Sequence, residues 1–290
     1  MNYNSQLLTL KENLKFLSTR NEINSEQRQL MFRAIAKSIC DDERYLSIRE
    51  ICDVYREAVG RSTAMSEKAL YDIIIDEPRF REELQSLLSI GSSEVSISEK
   101  RMAIAYVKNK FNDIAYKKFS TLSHIALPIM VDSPREACEA VANGSADNCI
   151  LPIENSRDGK LFGFYEMLDR FDLKICSVYN VDTEDDFGTI KHALIARGCK
   201  APWLCEISKK SYIFEFSTLS ANADFLGELV DFAKLCDALP LTVDSKPTQY
   251  DPQSKRYTLS FLVNGSYHFL MYPPLMLAGY SPIGFYPNEF

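Results

Sequence analysis

Leu151-Pro152-Ile153-Glu154-Asn155-Ser156, closed by Gly159, is the stretch on which the reading of this chain turns. It predicts a short buried strand that delivers three polar side chains at its carboxyl end. In open α/β sheets ligands sit outside the carboxyl ends of strands, so Glu154, Asn155 and Ser156 are candidate substrate contacts. The plainer alternative is an apolar strand that ends in polar loop residues.

Outward from this strand, residues 101–200 alternate apolar strands with amphipathic helices: 102–107, 114–122, 125–131, 135–144 and 148–153. That alternation predicts βαβ units and a mainly parallel sheet. Residues 208–263 read strand (212–219), helix (223–235), strand (239–245) and strand (257–263), the order of a small α+β unit. Residues 1–90 hold little Gly or Pro and space apolar residues for helices, as at Leu7, Leu10, Leu14, Leu17, Leu30, Ile35 and Ile39. Gly91-Ser92-Ser93 opens a polar linker. The expected fold is multidomain: an all-α domain over 1–92, an α/β lobe over 101–200 and an α+β domain over 205–290.

Composition removes several classes of function. The chain has 290 residues, 46% hydrophobic and 25% charged, with a formal net charge of −7. That acidity argues against a nucleic-acid or anionic-membrane partner. No apolar run approaches the ~18 residues of a membrane span. Residues 1–15 mix acid and base along an amphipathic pattern and do not read as a secretion signal. The 8 cysteines form no CxxC pair and there are 3 histidines, so neither a metal nor another cofactor is expected. The cysteines read as small buried hydrophobes in a reducing cytoplasm.

Residues 147–169 (DNCILPIENSRDGKLFGFYEMLD) resemble the strand–turn–helix signature of prephenate dehydratases. Residues 101–111 resemble the family's first strand and turn, and 133–147 its next helix. The resemblance implies that Phe111, Glu154, Asn155 and Ser156 line the cleft for a prephenate-like dicarboxylate. The family's first turn, Gly-Pro-x-Gly-Thr-(Phe/Tyr)-Ser, lets backbone N–H groups close around a carboxylate. Here Tyr106, Val107, Asn109 and Lys110 stand there, and only Phe111 is kept. The family also inserts a second lobe before a Thr-Arg-Phe motif. In this chain residues 177–181 run almost directly into 186–197, with Ile190-Lys191-His192 in the motif's place. Lys191 thus takes the position of the carboxylate-holding arginine. Loss of hydroxide and CO2 needs a cleft closed from two sides, so dehydratase activity is not expected. Asn155 and Ser156 then read as cap and turn residues.

Two further resemblances extend the comparison. Residues 243–247 and 283–287 resemble motifs of the ACT regulatory domain, which implies effector contacts by Asp244, Ser245 and Lys246. The effector loop reads Asn222-Ala223-Asp224-Phe225, where a carboxylate would repel that of an amino acid. The second helix is cut short around Pro273-Pro274. A plain dimerisation module is the other reading of this segment.

In the N-terminal ninety residues, Lys11, Arg28, Arg49-Glu50, residues 69–75 and Glu82 resemble, in order, landmarks of a chorismate mutase domain. That reaction needs only a clamp on a folded dianion and stabilisation of charge on the ether oxygen. Arg28 would grip one carboxylate bidentately, Lys11 would reach across from a partner, Glu50 would accept the ring hydroxyl and Glu82 would donate to the ether oxygen. The family's lysine falls eleven residues after the arginine, ~1100° of rotation and nearly the same face; that position is Ile39. Lys37, nine residues on, is the nearby cation but lies ~900° round, on the opposite face. Residues 21–25 also read as a helix stop and N-cap, and Pro78 interrupts the third helix.

The chain as a whole resembles a bifunctional chorismate mutase–prephenate dehydratase without the second dehydratase lobe. The implied activity is chorismate mutase, an isomerase of aromatic amino-acid and phenylalanine biosynthesis, cytoplasmic and cofactor-free. A symmetric homodimer is expected, since a mutase-like helical domain buries its stripe on a partner and ACT-like sheets pair edges. The alternatives are a catalytically silent paralogue that binds small aromatic acids or regulates, and altered chemistry on prephenate in a specialised pathway.

Overall fold

The computed structural model describes Leu8, Glu12 and residues 24–41, 46–60, 63–91, 101–182, 188–199, 211–247, 254–264 and 267–288. Leu8 and Glu12 are helical, and among the described residues that follow the N-terminal part forms α1 (Ser25–Cys40), α2 (Ile48–Val59) and α3 (Ala64–Asp76). Each opens with a reciprocal side-chain cap, Asn24 with Gln27, Ser47 with Glu50 and Thr63 with Ser66, which satisfies otherwise orphaned amides. The expected N-cap over 21–25 is Asn24; residues 21–23 lie outside the described ones. Pro78 follows the end of α3 and starts a 3-10 turn (Pro78–Phe80) before α4 (Arg81–Leu87). A proline cannot continue the ladder but fits a first helical turn.

The buried residues of these helices recur every three or four positions: Phe32, Ile35 and Ile39; Ile51 and Tyr55; Leu70, Tyr71 and Ile74. They share one apolar cluster with C-terminal residues such as Phe232, Phe261 and Phe269. Tyr71 and Phe232 meet edge to face at 5.6 Å.

The chain then runs β1 (Ile90–Gly91), β2 (Met102–Val107), α5 (Lys110–Phe119), β3 (Ala126–Val131), α6 (Pro134–Ala142) and β4 (Asn148–Asn155). It continues through β5 (Gly159–Lys160), α7 (Phe162–Arg170), β6 (Lys174–Asp182), β7 (Thr189–Ala196) and β8 (Gly198–Cys199). Strand β2 lies parallel to both β3 and β4, whereas β7 runs antiparallel to β4 and β6. The central sheet is therefore mixed rather than built of parallel pairs throughout, because β6 and β7 are joined by a short return. Their pairing reaches Asp182↔Thr189, so six intervening residues are all that separates the two strands. No second lobe interrupts the chain at this point.

The C-terminal part runs β9 (Ser211–Ser220), α8 (Phe225–Leu235), β10 (Ala238–Pro247), β11 (Lys255–Asn264), α9 (His268–Met276) and β12 (Ser281–Pro287). Its strands pair in the order β10-β11-β9-β12, all antiparallel, the split βαβ arrangement of ferredoxin-like units. Strand β12 also meets β6 in parallel at Gly284↔Ile175, which joins both halves into one 10-stranded sheet. A Cβ on Gly284 would stand 2.7 Å from the Ile175 carbonyl oxygen, so only glycine permits that approach.

The two faces of β9 follow its period of two. Phe214 and Phe216 enter the cluster with α8 and α9, while Ile213 packs into the cluster of the central lobe. Across that second face lies α7, tied by Arg256 to Asp169 at 2.9 Å and by Lys246 to Glu166 at 3.6 Å.

Candidate functional site

The polar residues at the carboxyl end of β4 come together with the start of β7 and the first turn of α5. A bulge in the β4–β7 ladder separates the pair Pro152↔His192 from Glu154↔Lys191. Proline has no amide to give to the ladder, and the extra residue re-aims the side chains beyond it. Glu154 and Lys191 form a half-buried ion pair. Asn155 turns back on its own loop: its Oδ1 accepts from the Arg157 amide at 2.9 Å and its Nδ2 donates to Asp158 at 3.2 Å. Ser156 pairs with Thr189, its Oγ accepting from the Thr189 amide and its own amide donating to the Thr189 carbonyl, both at 3.0 Å.

The first turn of α5 is likewise occupied. Asn109, the N-cap, accepts through Oδ1 from the amides of Phe111 at 3.0 Å and Asn112 at 2.8 Å. These are the donors that a carboxylate at a helix N-terminus would need. Asn112 donates to the Val107 carbonyl at 2.7 Å, and its Oδ1 lies 2.9 Å from His192 Nε2. His192 is 1% exposed, and burial pushes its pKa down to about 4. It is a neutral donor to Asn112. Phe111 packs at the margin of the apolar cluster on this side of the sheet.

Beneath β5 and α7 lies an ionic network that the sequence pattern alone does not single out. Glu215 on β9, 1% exposed, takes Lys160 Nζ at 2.7 Å and the Tyr165 hydroxyl at 3.2 Å on Oε1. The Tyr286 hydroxyl donates to Oε2 at 3.2 Å. Lys160 also reaches Asp244 at 3.4 Å. Burial, with the Glu215 charge, raises both tyrosine phenols well above their ordinary range, so both remain donors. The sequence signal was present: Glu215 is a lone carboxylate inside the apolar run Tyr212–Leu219, on the face opposite the phenylalanines.

Asp244 and Lys246 therefore bind the central lobe. Lys246 Nζ also stands 3.9 Å over the Phe162 ring, and Ser245 beside them is exposed.

The mutase-like residues occupy separate surroundings. Glu50 is the reciprocal partner of the Ser47 cap, and hydrogen bonds from Ser47 hold its carboxyl below the ordinary range. Arg49 donates to the Pro274 carbonyl at 3.2 Å. Arg28 is half-buried, while Lys37 and Glu82 are exposed. Ile39 is 0% exposed, inside the core. Lys11 lies outside the described residues.

Residues 107–199 match the family model of prephenate dehydratase. Among solved structures, prephenate dehydratase from Streptococcus mutans is similar at 14% identity and a TM-score of 0.50, over 64% of this chain and 98% of that one. A second, from Arthrobacter aurescens and in complex with L-Phe, is similar at 14% identity and a TM-score of 0.50, over 63% of this chain and 89% of that one. No curated protein matches the chain in sequence. The chain thus carries a prephenate dehydratase-like domain in a mixed α/β fold of that kind.

Proposed function

We propose that this chain is a prephenate dehydratase-like protein of aromatic amino-acid metabolism that does not dehydrate prephenate. It serves instead as a binding or regulatory subunit for small aromatic acids. One observation carries this reading: the polar groups at the candidate cleft are engaged with one another. Asn109 caps the α5 amides, Asn155 and Ser156 hold turns, and Lys191 is paired with Glu154. Freeing them for substrate would forfeit bonds already made. The direct return from β6 to β7 supports it too, since the chemistry needs a water-excluding second wall.

In this reading the βαββαβ unit is ACT-like and the protein is a homodimer. Support comes from β10, an outer strand of the sheet with Leu239, Leu241 and Val243 exposed at 53%, 48% and 45%. An apolar edge of that kind is a template for pairing with a second chain. This reading divides the chain into three units, 1–92, 101–200 and 205–290.

The test is purified protein with prephenate, with chorismate, and with phenylalanine in a calorimeter. Neither substrate should turn over above its uncatalysed rate, and an aromatic acid should bind. Phenylpyruvate formed at enzyme-like turnover, and abolished by Asn155→Ala, would overturn the first half. Failure of prephenate, phenylpyruvate and phenylalanine alike to bind would overturn the second. Chorismate loss abolished by Arg28→Ala would install the mutase activity in place of a silent subunit.

A further inference from the structure

Two thiols meet at the far end of the central lobe from the β4 loop. Cys176 Sγ and Cys199 Sγ stand 3.1 Å apart, although 23 positions separate them in sequence. Neither is in a disulfide. Cys176 is the extra residue of a bulge in the β6–β7 ladder, between the pairs Ile175↔Ile195 and Ser177↔Leu194. A bulged residue leaves the ladder and its side chain is re-aimed, here onto β8. Cys199 closes β8, which pairs with β1 at Ile90↔Cys199 and Gly91↔Gly198. Each thiol also reaches the other's strand. Cys199 donates to the Ile175 carbonyl at 3.0 Å, and Cys176 to that of Gly198 at 3.2 Å.

Their surroundings differ in a way that orders the chemistry. Cys176 is 8% exposed. Its hydrogen bond with Cys199, and then burial, push its thiol well above the ordinary range, so it rests protonated. Cys199 is only half-buried, which leaves its sulfur within reach of a small reagent. Access is what selects this pair. Cys138 and Cys149 share a hydrogen bond too, yet both are 0% exposed inside the cluster under α6.

We propose that Cys176 and Cys199 are a reversible disulfide site whose reagent is a low-molecular-weight disulfide. The Cys199 thiolate attacks one sulfur of the reagent, whose S–S bond breaks and releases a first small thiolate. Cys176 gives its proton to water and attacks the Cys199 sulfur of the mixed disulfide, and the second small thiolate leaves. The protein loses two electrons and two protons, and the reagent ends as two small thiols. The sulfurs need to close by only about 1 Å to reach the ~2.05 Å of the bond. The bond ties β8, and through it β1, to β6 beside the Gly284↔Ile175 junction. Cys199 packs against the cluster shared by the N-terminal and C-terminal helices, and Ile175 lies in that of the central lobe. Oxidation therefore fastens the two cores to each other.

The probe is oxidised glutathione, added to the reduced full-length protein in native buffer. The protein is then denatured, alkylated, digested and mapped by mass spectrometry. A Cys176–Cys199 disulfide should appear, and the count of free thiols should fall by two from 8 and recover with dithiothreitol. Cys138 and Cys149 should be alkylated in full, and Cys199→Ser should abolish the loss of two thiols. The oxidised chain should unfold at a higher urea midpoint than the reduced one, because the bond closes a loop in the unfolded state. The proposal falls if no thiol is lost at millimolar reagent, if glutathione stays on Cys199 without transfer to Cys176, or if the bond joins another pair. A lower urea midpoint for the oxidised chain overturns it as well, since the bond would then distort the fold.

Discussion

Lys160→Met would remove the ammonium from a carboxylate that has almost no contact with water. In the native chain Lys160 Nζ lies 2.7 Å from Glu215, and the two side chains are 9% and 2% exposed. Removing one member of a buried pair costs about 3–5 kcal/mol, because the other is left as an uncompensated buried charge. The hydroxyls of Tyr165 and Tyr286 still donate to Glu215, which sets the expectation at about 3 kcal/mol. At about 2–4 °C per kcal/mol for a chain of this size class, the melting temperature should fall by roughly 6–12 °C. Urea unfolding followed by far-UV circular dichroism at pH 7 would measure the loss. Adding Glu215→Leu should recover most of it, since apolar residues often replace a buried pair at little cost. A loss below about 1 kcal/mol, the value of an exposed pair, would refute the reasoning that Lys160 and Glu215 act as a buried, mutually dependent pair.

Three further outcomes are expected. Ile39→Lys should destabilise the protein by at least about 3 kcal/mol, from lost burial and an unpaired charge, because Ile39 is 0% exposed; a thermal melt will show it, and a gain in chorismate turnover instead would restore the mutase assignment. Burial holds His192 near a pKa of about 4 against 6.5, so below pH 6.5 the unfolded chain binds a proton that the native one does not. Stability should be full above pH 6.5 and fall toward pH 4, by about 3 kcal/mol in all, and urea midpoints for His192→Gln should lose that part of the slope. Gly188→Ala should cost more than about 1 kcal/mol, since Gly188 has φ +75° and its new Cβ would lie 2.1 Å from Ser156 Oγ; an additional Ser156→Ala should return part of the loss in the same unfolding assay.

Periodicity carried much of the architecture. The alternation of strand and helix over 102–153 and the strand–helix–strand–strand order of the C-terminal part both appear as elements at those places. The N-cap at Asn24 and the break at Pro78 are local as well, set by side-chain caps and a missing amide. What no local pattern could state is which groups meet across the chain. Strand β7 had to fold back on β6 before Lys191 could pair with Glu154, and α5 had to dock before Asn112 could meet His192. Arg49 and Glu50 look like site residues as letters, yet one answers a carbonyl 225 positions away and the other a cap. Glu215 is the reverse case. Its place in an apolar strand was visible, but its partners Lys160, Tyr165 and Tyr286 come from three other elements. Burial makes such contacts decisive, because a charge removed from water must find its counter-charge wherever the tertiary fold brings one.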